Sequence, residues 1–197
     1  PGLIAGHYTI DEAHIDLAPL TRFANARFLR STVVGIDPVT RTIQLKNRPP
    51  IAYDVLSINS GSTPSTHKVK GADQFVVPVK PISQFLAHWQ SLFERIALRD
   101  RPTSITLIGG GAGSVELVLA IQHKLCFSPS SYRSELSFTL LTADDDILAT
   151  HPRAVAKRFR RILAERNVQI HTSVRITEIR AGVAIDKGGR EFSSDEF

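Results

Sequence analysis

Hydrophobic positions along the chain follow strand-like and helix-like periods that predict alternating strands and helices. Residues 105–108 form a short apolar run rich in β-branched side chains, which predicts a buried strand. Residues 114–125 carry apolar side chains at the spacing of one helical face. The glycine-rich stretch 109–113 lies between them, and we refer to it as the glycine turn. The pattern therefore predicts a strand, a tight turn and a helix in direct succession.

Two further helices are predicted by the same spacing. Residues 81–98 have an i, i+3, i+4, i+7 apolar stripe that should dock on a sheet, with Trp89 in the core rather than in a cofactor-binding box. Residues 153–166 place apolar side chains inward and basic ones outward. Such a basic stripe could bind nucleic acid or anionic lipid, but a solvated helix face is the favoured interpretation, and no nucleic-acid partner is expected. The break at 99–102 predicts a domain boundary, with one domain at 1–99 and the other at 100–197.

One pattern of strands occurs twice in the chain. Phe28 to Asp54 and Ile170 to Asp195 both read as a short buried strand, two alternating strands joined by turns, and an acidic residue that opens a final strand. The sequence thus predicts an α/β fold of two dinucleotide-binding (Rossmann-like) domains, each a parallel sheet with an inserted antiparallel β-meander. In the second copy a glycine turn precedes the repeat, and its counterpart in the first copy would fall upstream of Pro1. We therefore expect that both domains are truncated, the second lacking its last strand.

A strand followed by a glycine turn and a helix is typical of an anion site. Free backbone N–H groups of the first helical turn and the positive end of the helix dipole point into the same space. In the dinucleotide fingerprint, the first glycine makes the turn, the second admits the pyrophosphate and a third small residue lets helix and strand pack. These places fall on Gly109, Gly111 and Ser114. A ligand-free turn is the alternative, whereas a P-loop is not favoured, because no Lys-Ser or Lys-Thr follows. The candidate cofactor-binding residues here are Gly109, Gly110, Gly111, Ala112, Gly113 and Ser114.

The end of the next predicted strand, 136–142, bears on the choice of cofactor. An acidic residue at this place binds the ribose hydroxyls of NAD, whereas Arg or Lys accepts the phosphate of NADP. Thr142 stands at the expected place, and three aspartates at 144–146 follow. Their carboxylates would repel a 2′-phosphate, so NADH is favoured over NADPH, with Thr142 and Asp144 as candidate contacts. The alternative is a solvated turn that caps the next helix; metal binding is not favoured, since no further ligand spacing accompanies the aspartates.

Composition narrows the class of protein further. The net charge is +5 and 42% of the residues are hydrophobic, as in a globular chain that suits anionic ligands. The single Cys126 excludes an intramolecular disulfide and a redox-active cysteine pair, which favours the cytoplasm. No Ser–His–Asp order and no histidine pair at metal-ligand spacing is present, so hydrolysis and metal chemistry are not expected.

The ordered set of motifs at 53–62, 77–80 and 108–116 resembles the FAD-dependent pyridine nucleotide-disulfide oxidoreductases. The nearest branch is that of the type II NADH dehydrogenases, which includes the flavoprotein module joined to selenide, water dikinase. The resemblance covers nearly all of the chain. It implies that NADH passes hydride to FAD, which then reduces a second acceptor, with a quinone as one candidate. It also leaves room for a fused partner domain and for membrane contact through regions outside these residues.

The resemblance also implies roles for individual residues. Glu116 would sit near the meeting point of nicotinamide and flavin. Asn59-Ser60-Gly61 takes the place of the family's Ala-Thr-Gly, with two of the three residues changed, so Ser60 and Gly61 are candidate flavin contacts. Lys80 ends the middle motif and is a further candidate cofactor contact. The competing hypothesis is a non-catalytic module that binds dinucleotide and regulates a joined enzyme; Ser114, Thr142 and the altered 59–61 motif favour it.

Overall fold

The computed structural model describes residues 1–61, 66–127 and 135–197. Ser62, the last residue of the motif at 53–62, lies outside them. The helices within the described residues are α1 (Gly2–Ala5), α2 (Ile10–Ala13), α3 (Leu17–Phe23), α4 (Ala72–Phe75), α5 (Ile82–Ala97), α6 (Ala112–Phe127) and α7 (Arg153–Glu165). The strands are β1 (Val33–Asp37), β2 (Thr42–Leu45), β3 (Arg48–Ala52), β4 (Thr103–Ile108), β5 (Leu136–Leu141), β6 (Val168–His171), β7 (Ile176–Arg180), β8 (Val183–Asp186) and β9 (Glu191–Ser193). The three predicted helices are therefore confirmed as α5, α6 and α7.

A parallel sheet lies at the centre of the larger part of the fold. Its strand order is β4-β5-β6, with α6 joining β4 to β5 and α7 joining β5 to β6. Leu140 and Leu141 of the middle strand are fully buried, because a central parallel strand has neighbours on both edges and helices on its faces. The carboxyl ends of these parallel strands meet at one edge of the sheet, where the glycine turn follows β4.

The main core forms where α5 and α6 pack against this sheet. Val115 and Val118 of α6 are fully buried and belong to one cluster with Ile96 and Trp89 of α5. Trp89 also contacts the ring of Phe93, with centroids 6.0 Å apart. The prediction that Trp89 is a core residue is therefore confirmed.

Two antiparallel three-stranded meanders confirm the predicted repeat. Strands β1, β2 and β3 form the first meander, and β7, β8 and β9 form the second. Both have the same irregularity in their first strand, between Val33 and Gly35 in one and between Ile176 and Glu178 in the other. An extra residue at the same place in both copies is a β-bulge shared by the two units. Together, the parallel sheet and the two meanders confirm the predicted α/β fold class.

The sequence prediction was wrong for the two strands that should flank the first meander. The first copy was expected to have its short buried strand from Phe28 and its final strand after Asp54, but residues 28–30 and 55–59 lie in irregular backbone. In the second copy, β6 pairs with β5, and Glu196 forms a parallel bridge with Ile105 of β4. A strand needs a hydrogen-bonding neighbour, and the described residues offer no parallel neighbour to 28–30 or 55–59.

The described chain divides into two compact units. The larger unit has Pro1–Thr9 and Thr63–Phe197, and the smaller has Ile10–Ser62. Helix α5 packs within the larger unit. The assignment of 1–99 to a flavin domain and 100–197 to a nicotinamide domain remains a prediction, since it concerns which cofactor each half binds.

The second meander is covered by chain that the first meander lacks. Residues 69–75 run along the edge of β7: the N–H of Lys70 donates to the carbonyl of Thr177 (3.0 Å), and the N–H of Ile179 donates to the carbonyl of Lys70 (2.8 Å). Ala72 then packs on a small core with Ile179. In the smaller unit no described residue from 10 to 61 is buried. The copies thus share a backbone pattern but differ in what packs on it.

Candidate functional site

The glycine turn has a backbone shape that requires glycine at its first position. Gly109 has a φ of 124°, a backbone conformation that residues with a Cβ rarely adopt. Its N–H donates to the carbonyl of Leu141 (2.7 Å). A Cβ on Gly110 would overlap the side chain of Thr142. Gly109 therefore makes the bend, and Gly110 lets the turn lie directly on the end of β5.

The next peptide unit is oriented by a contact from the loop that follows β5. The N–H of Leu148 donates to the carbonyl of Gly110 (2.7 Å). In a trans peptide the carbonyl and the following N–H point in opposite directions, so the N–H of Gly111 points away from Leu148. Apart from the neighbouring backbone, no atom of the described residues lies within 4 Å of the place where a Cβ of Gly111 or Gly113 would sit. The turn therefore has an open side.

Helix α6 begins within this turn and adds further donors. Its first N–H groups, from Ala112 to Ser114, have no acceptor within the helix, and the helix dipole places partial positive charge there. Ser114 lies against Gly109, with its Oγ 3.2 Å from where a Cβ of Gly109 would be. The bend at Gly109 thus lies directly against the first turn of α6. The open side of the turn is suited to an anion.

Thr142 lies behind the glycine turn. It is 1% exposed, and its Oγ1 accepts a hydrogen bond from the N–H of Asp144 (3.3 Å). The hydroxyl thus helps to shape the loop after β5. A direct contact between Thr142 and ribose remains a prediction.

The three aspartates that follow Thr142 differ in their contacts. The carboxylate of Asp146 accepts from the N–H of Ile147 and from Nε of Arg160, both at 2.6 Å, so it ties the loop to α7. None of the three caps α7, because its N-cap residue is Pro152; the capping interpretation is therefore wrong. The side chains of Asp144 and Asp145 are exposed. Asp144, together with Thr142 and the glycine turn, lies at the carboxyl edge of the parallel sheet.

The remaining predicted site residues lie in other places. Glu116 is exposed on α6, just beyond the first helical turn. Lys80 is exposed immediately before Pro81, the N-cap residue of α5. Ser60 and Gly61 are exposed in the smaller unit, where Gly61 has a φ of 73° and open space around it. The roles of all four as cofactor contacts remain predictions.

Two residues that shape the site were not found from the sequence. Leu148 and Ser173 have φ values of 54° and 55°, a conformation uncommon for residues other than glycine. Leu148 fixes the Gly110 peptide, and the N–H of Ser173 donates to the carbonyl of Asp144 (2.8 Å). Neither residue type signals a positive φ, so no local sequence feature could have identified them.

A carboxylate also fixes the amino-terminal end of β4. Asp195 accepts from Nη2 of Arg101 (2.6 Å) and from the N–H and the hydroxyl of Ser104 (both 2.9 Å). The hydrogen bond from Arg101 is the largest cause that lowers the pKa of Asp195, and the hydrogen bonds from Ser104 lower this pKa further. Burial raises it, and the pKa that results is about 2. Asp195 thus anchors the returning chain beside the strand that leads to the glycine turn.

Comparison with known proteins places the chain in a family. The sequence profile described as "Pyridine nucleotide-disulphide oxidoreductase" matches residues 9–196. The chain belongs to this family. The membership confirms the resemblance and, at family level, the predicted cofactors FAD and NAD(P)H. No curated protein matches the chain significantly.

Solved structures of similar fold include several oxidoreductases. The sulfide:quinone oxidoreductase from Aquifex aeolicus is 20% identical with a TM-score of 0.80, and the alignment covers 100% of this chain and 47% of that one. NDH2 from Plasmodium falciparum in complex with NADH is 14% identical with a TM-score of 0.80, covering 98% and 45%. A NAD-dependent persulfide reductase from A. fulgidus is 18% identical with a TM-score of 0.69, covering 98% and 35%. The chain thus spans less than half the length of these proteins, and the likeness shows the fold.

Among the described residues of this family member, none of the helices has the length and apolar character needed to cross a membrane.

Proposed function

We propose that the chain is part of a flavin-linked NAD(P)H oxidoreductase and that its glycine turn binds the diphosphate of NADH. The single observation that carries this proposal is the open side of the turn, where no described atom beyond the neighbouring backbone lies within 4 Å of an added Cβ at Gly111 or Gly113. First-turn N–H groups of α6 adjoin this space, and family membership supports a dinucleotide as the anion. When bound, the nicotinamide would supply a hydride and the flavin would accept it.

The chain's own residues would bind and orient the cofactors. In the proposal, 100–197 holds the nicotinamide cofactor, with Asp144 at the ribose and Glu116 toward the place where nicotinamide and flavin meet. Residues 1–99 would contribute to the flavin site, with Ser60, Gly61 and Lys80 as contacts. The exposed carboxylate of Asp144 would repel the 2′-phosphate of NADPH, which supports NADH. A quinone is one candidate for the final acceptor, and a cytoplasmic location is proposed because Cys126 has no cysteine partner in the sequence.

A second candidate function is a non-catalytic dinucleotide-binding module. It is favoured by Thr142, which is buried where an acidic ribose contact is expected. Because the fragment alone is expected to be inactive, the visible spectrum of the full-length protein separates the two candidates. Bound flavin that NADH bleaches is the result expected of the enzyme, whereas a colourless protein that binds nucleotide would support the module.

The proposed diphosphate contact can be tested by filling the open side of the turn. Gly111 is not in the left-handed region, so Gly111→Ala should fold normally while its methyl group occupies the space of the diphosphate. We expect the Kd for NADH, measured by its fluorescence on the purified chain, to rise at least about tenfold.

Gly182→Ala is the control for that experiment. It adds a methyl group in the turn between β7 and β8, outside the glycine turn, where the nearest contact is an ordinary one of 3.7 Å to the carbonyl oxygen of Ser194. It should leave the Kd for NADH unchanged. Equal NADH binding by wild type and Gly111→Ala would overturn the proposal.

A further inference from the structure

A chain of contacts leads from the second meander to Asp144, and it starts at a buried carboxylate. Asp186 is 4% exposed. It accepts from the N–H of Gly188 (2.8 Å) and from the N–H and Nε of Arg190 (2.9 and 2.7 Å). The guanidinium of Arg190 is therefore held from one side, and its charge is paired with the charge of Asp186.

The other side of the guanidinium reaches the loop between β6 and β7. Nη2 of Arg190 donates to the carbonyl of Ser173 (3.2 Å), and the guanidinium lies 5.9 Å from the ring centroid of Phe192. Ser173 has a φ of 55°. A residue other than glycine keeps such a conformation only where its surroundings hold it, and the bond from Arg190 is one of those constraints.

Ser173 in turn holds the backbone of the loop after β5. Its N–H donates to the carbonyl of Asp144, and the N–H of Val174 donates to the carbonyl of Thr142, both at 2.8 Å. These bonds fix the loop on which the carboxylate of Asp144 is exposed. The path from Asp186 through Arg190 and Ser173 to Asp144 is thus continuous.

We propose that Arg190 is a positioning residue for nucleotide selectivity, which acts through Ser173 to hold Asp144 where it distinguishes NADH from NADPH. The inference rests on the proposed function of the glycine turn. Since its charge is paired with that of Asp186, Arg190 acts through the geometry of the loop rather than as a receptor for phosphate.

The test is a double-mutant cycle on the 197-residue chain, with the Kd for NADH and for NADPH measured by nucleotide fluorescence. The variants are Asp144→Asn, Arg190→Ala and the two combined. Each single change is expected to lower the ratio of the NADPH Kd to the NADH Kd about threefold to tenfold, which is the net effect of one ordinary hydrogen bond at an exposed site. The combined variant should show no more than the effect of Asp144→Asn, because Arg190 acts through Asp144.

Two further variants separate positioning from a general role in stability. Arg180→Ala removes an arginine of similar exposure that pairs with Glu178 in the same meander, and it should leave both Kd values unchanged. Arg190→Lys keeps the charge but cannot bond both Asp186 and Ser173 as the planar guanidinium does. Arg190→Lys should therefore show the same loss of selectivity as Arg190→Ala, with a thermal stability close to that of the wild type. If Arg190→Ala does not fold, Arg190→Lys takes its place in the test.

The possible failures are distinguishable. If Asp144→Asn leaves both affinities unchanged, the proposed ribose contact fails and this inference fails with it. If Asp144→Asn changes selectivity but the Arg190 variants do not, or change both affinities equally, only the role of Arg190 is overturned. Full additivity in the combined variant would also overturn it.

Discussion

At the scale of single residues, Asp195 shows how one carboxylate can fix the start of the sheet. Arg101 and Ser104 together occupy both of its oxygens. The charged form of Asp195 is favoured in the folded chain, whereas in the unfolded chain the carboxyl has its ordinary affinity for protons. Folding therefore opposes protonation at this position.

The lowered pKa of Asp195 predicts an acid-dependent loss of stability. Its contribution is present above the ordinary pKa of 3.8 and is lost as the pH falls through about 2. The full difference corresponds to roughly 2 kcal/mol, reduced by solvent screening because Arg101 is exposed. Urea unfolding between pH 2 and 6 should show a steeper acid-side fall of the free energy of unfolding in wild type than in Asp195→Asn. Identical pH profiles would contradict this account.

At the scale of elements, the docking of residues 69–75 on β7 depends on one glycine. Gly71 has a φ of 77°, and a Cβ there would overlap the carbonyl oxygen of Ile179. A clash with backbone cannot be relieved by rotating a side chain. Residues 69–75 would then have to move away from β7, and the backbone hydrogen bonds of Lys70 with Thr177 and Ile179 would break.

Gly71→Ala is therefore expected to lower the free energy of unfolding by about 3 kcal/mol, measured by urea denaturation. Gly182→Ala is the matched control in the same meander, with a φ of 76° but only an ordinary contact of 3.7 Å to Ser194. It should cost about 1 kcal/mol, from the left-handed backbone alone. Equal losses would show that the clash with Ile179 is relieved.

The elements also show which parts of the fold the sequence could predict. Helices α5, α6 and α7 were found because their apolar spacing is a local property of the chain. The meanders were found because the pattern occurs twice. The strands expected at 28–30 and 55–59 were wrong, since a strand depends on a neighbour that the local pattern does not report.

The same distinction applies to the candidate site. The glycine turn could be located from residue types, since its backbone shape and close packing require small residues. Leu148, Ser173 and Arg190 could not, because their contacts join loops that are distant in sequence. Long-range backbone contacts of this kind leave no signature in composition or spacing.

At the scale of the whole molecule, the two compact units differ in what they bury. The larger unit has a core around Leu140, Val118 and Ile96, all fully buried. In the smaller unit the counterparts of the buried Ile176 and Ile179 are Val33 and Ile36, which are 52% and 43% exposed. The smaller unit thus has little apolar burial to oppose local opening.

Hydrogen exchange should reveal this difference. Backbone amides of β1–β3 are expected to exchange at least about a hundredfold faster than those of β5, because opening the first meander exposes little buried apolar surface. Mass spectrometry of peptides from both regions of the same sample provides the measurement, with the second meander as an internal control for the same strand pattern. Comparable protection of both meanders would contradict the prediction.

The packing of Thr142 against Gly110 has a consequence for redesign of this family member. A longer acidic side chain at 142 would meet the turn backbone and would place its charge away from water, at a large desolvation cost. The space between residue 142 and Gly110, and not charge alone, therefore limits which amino acids position 142 can accept. At residue 144, by contrast, the side chain reaches solvent, so the acidity of this loop can be varied there without that cost.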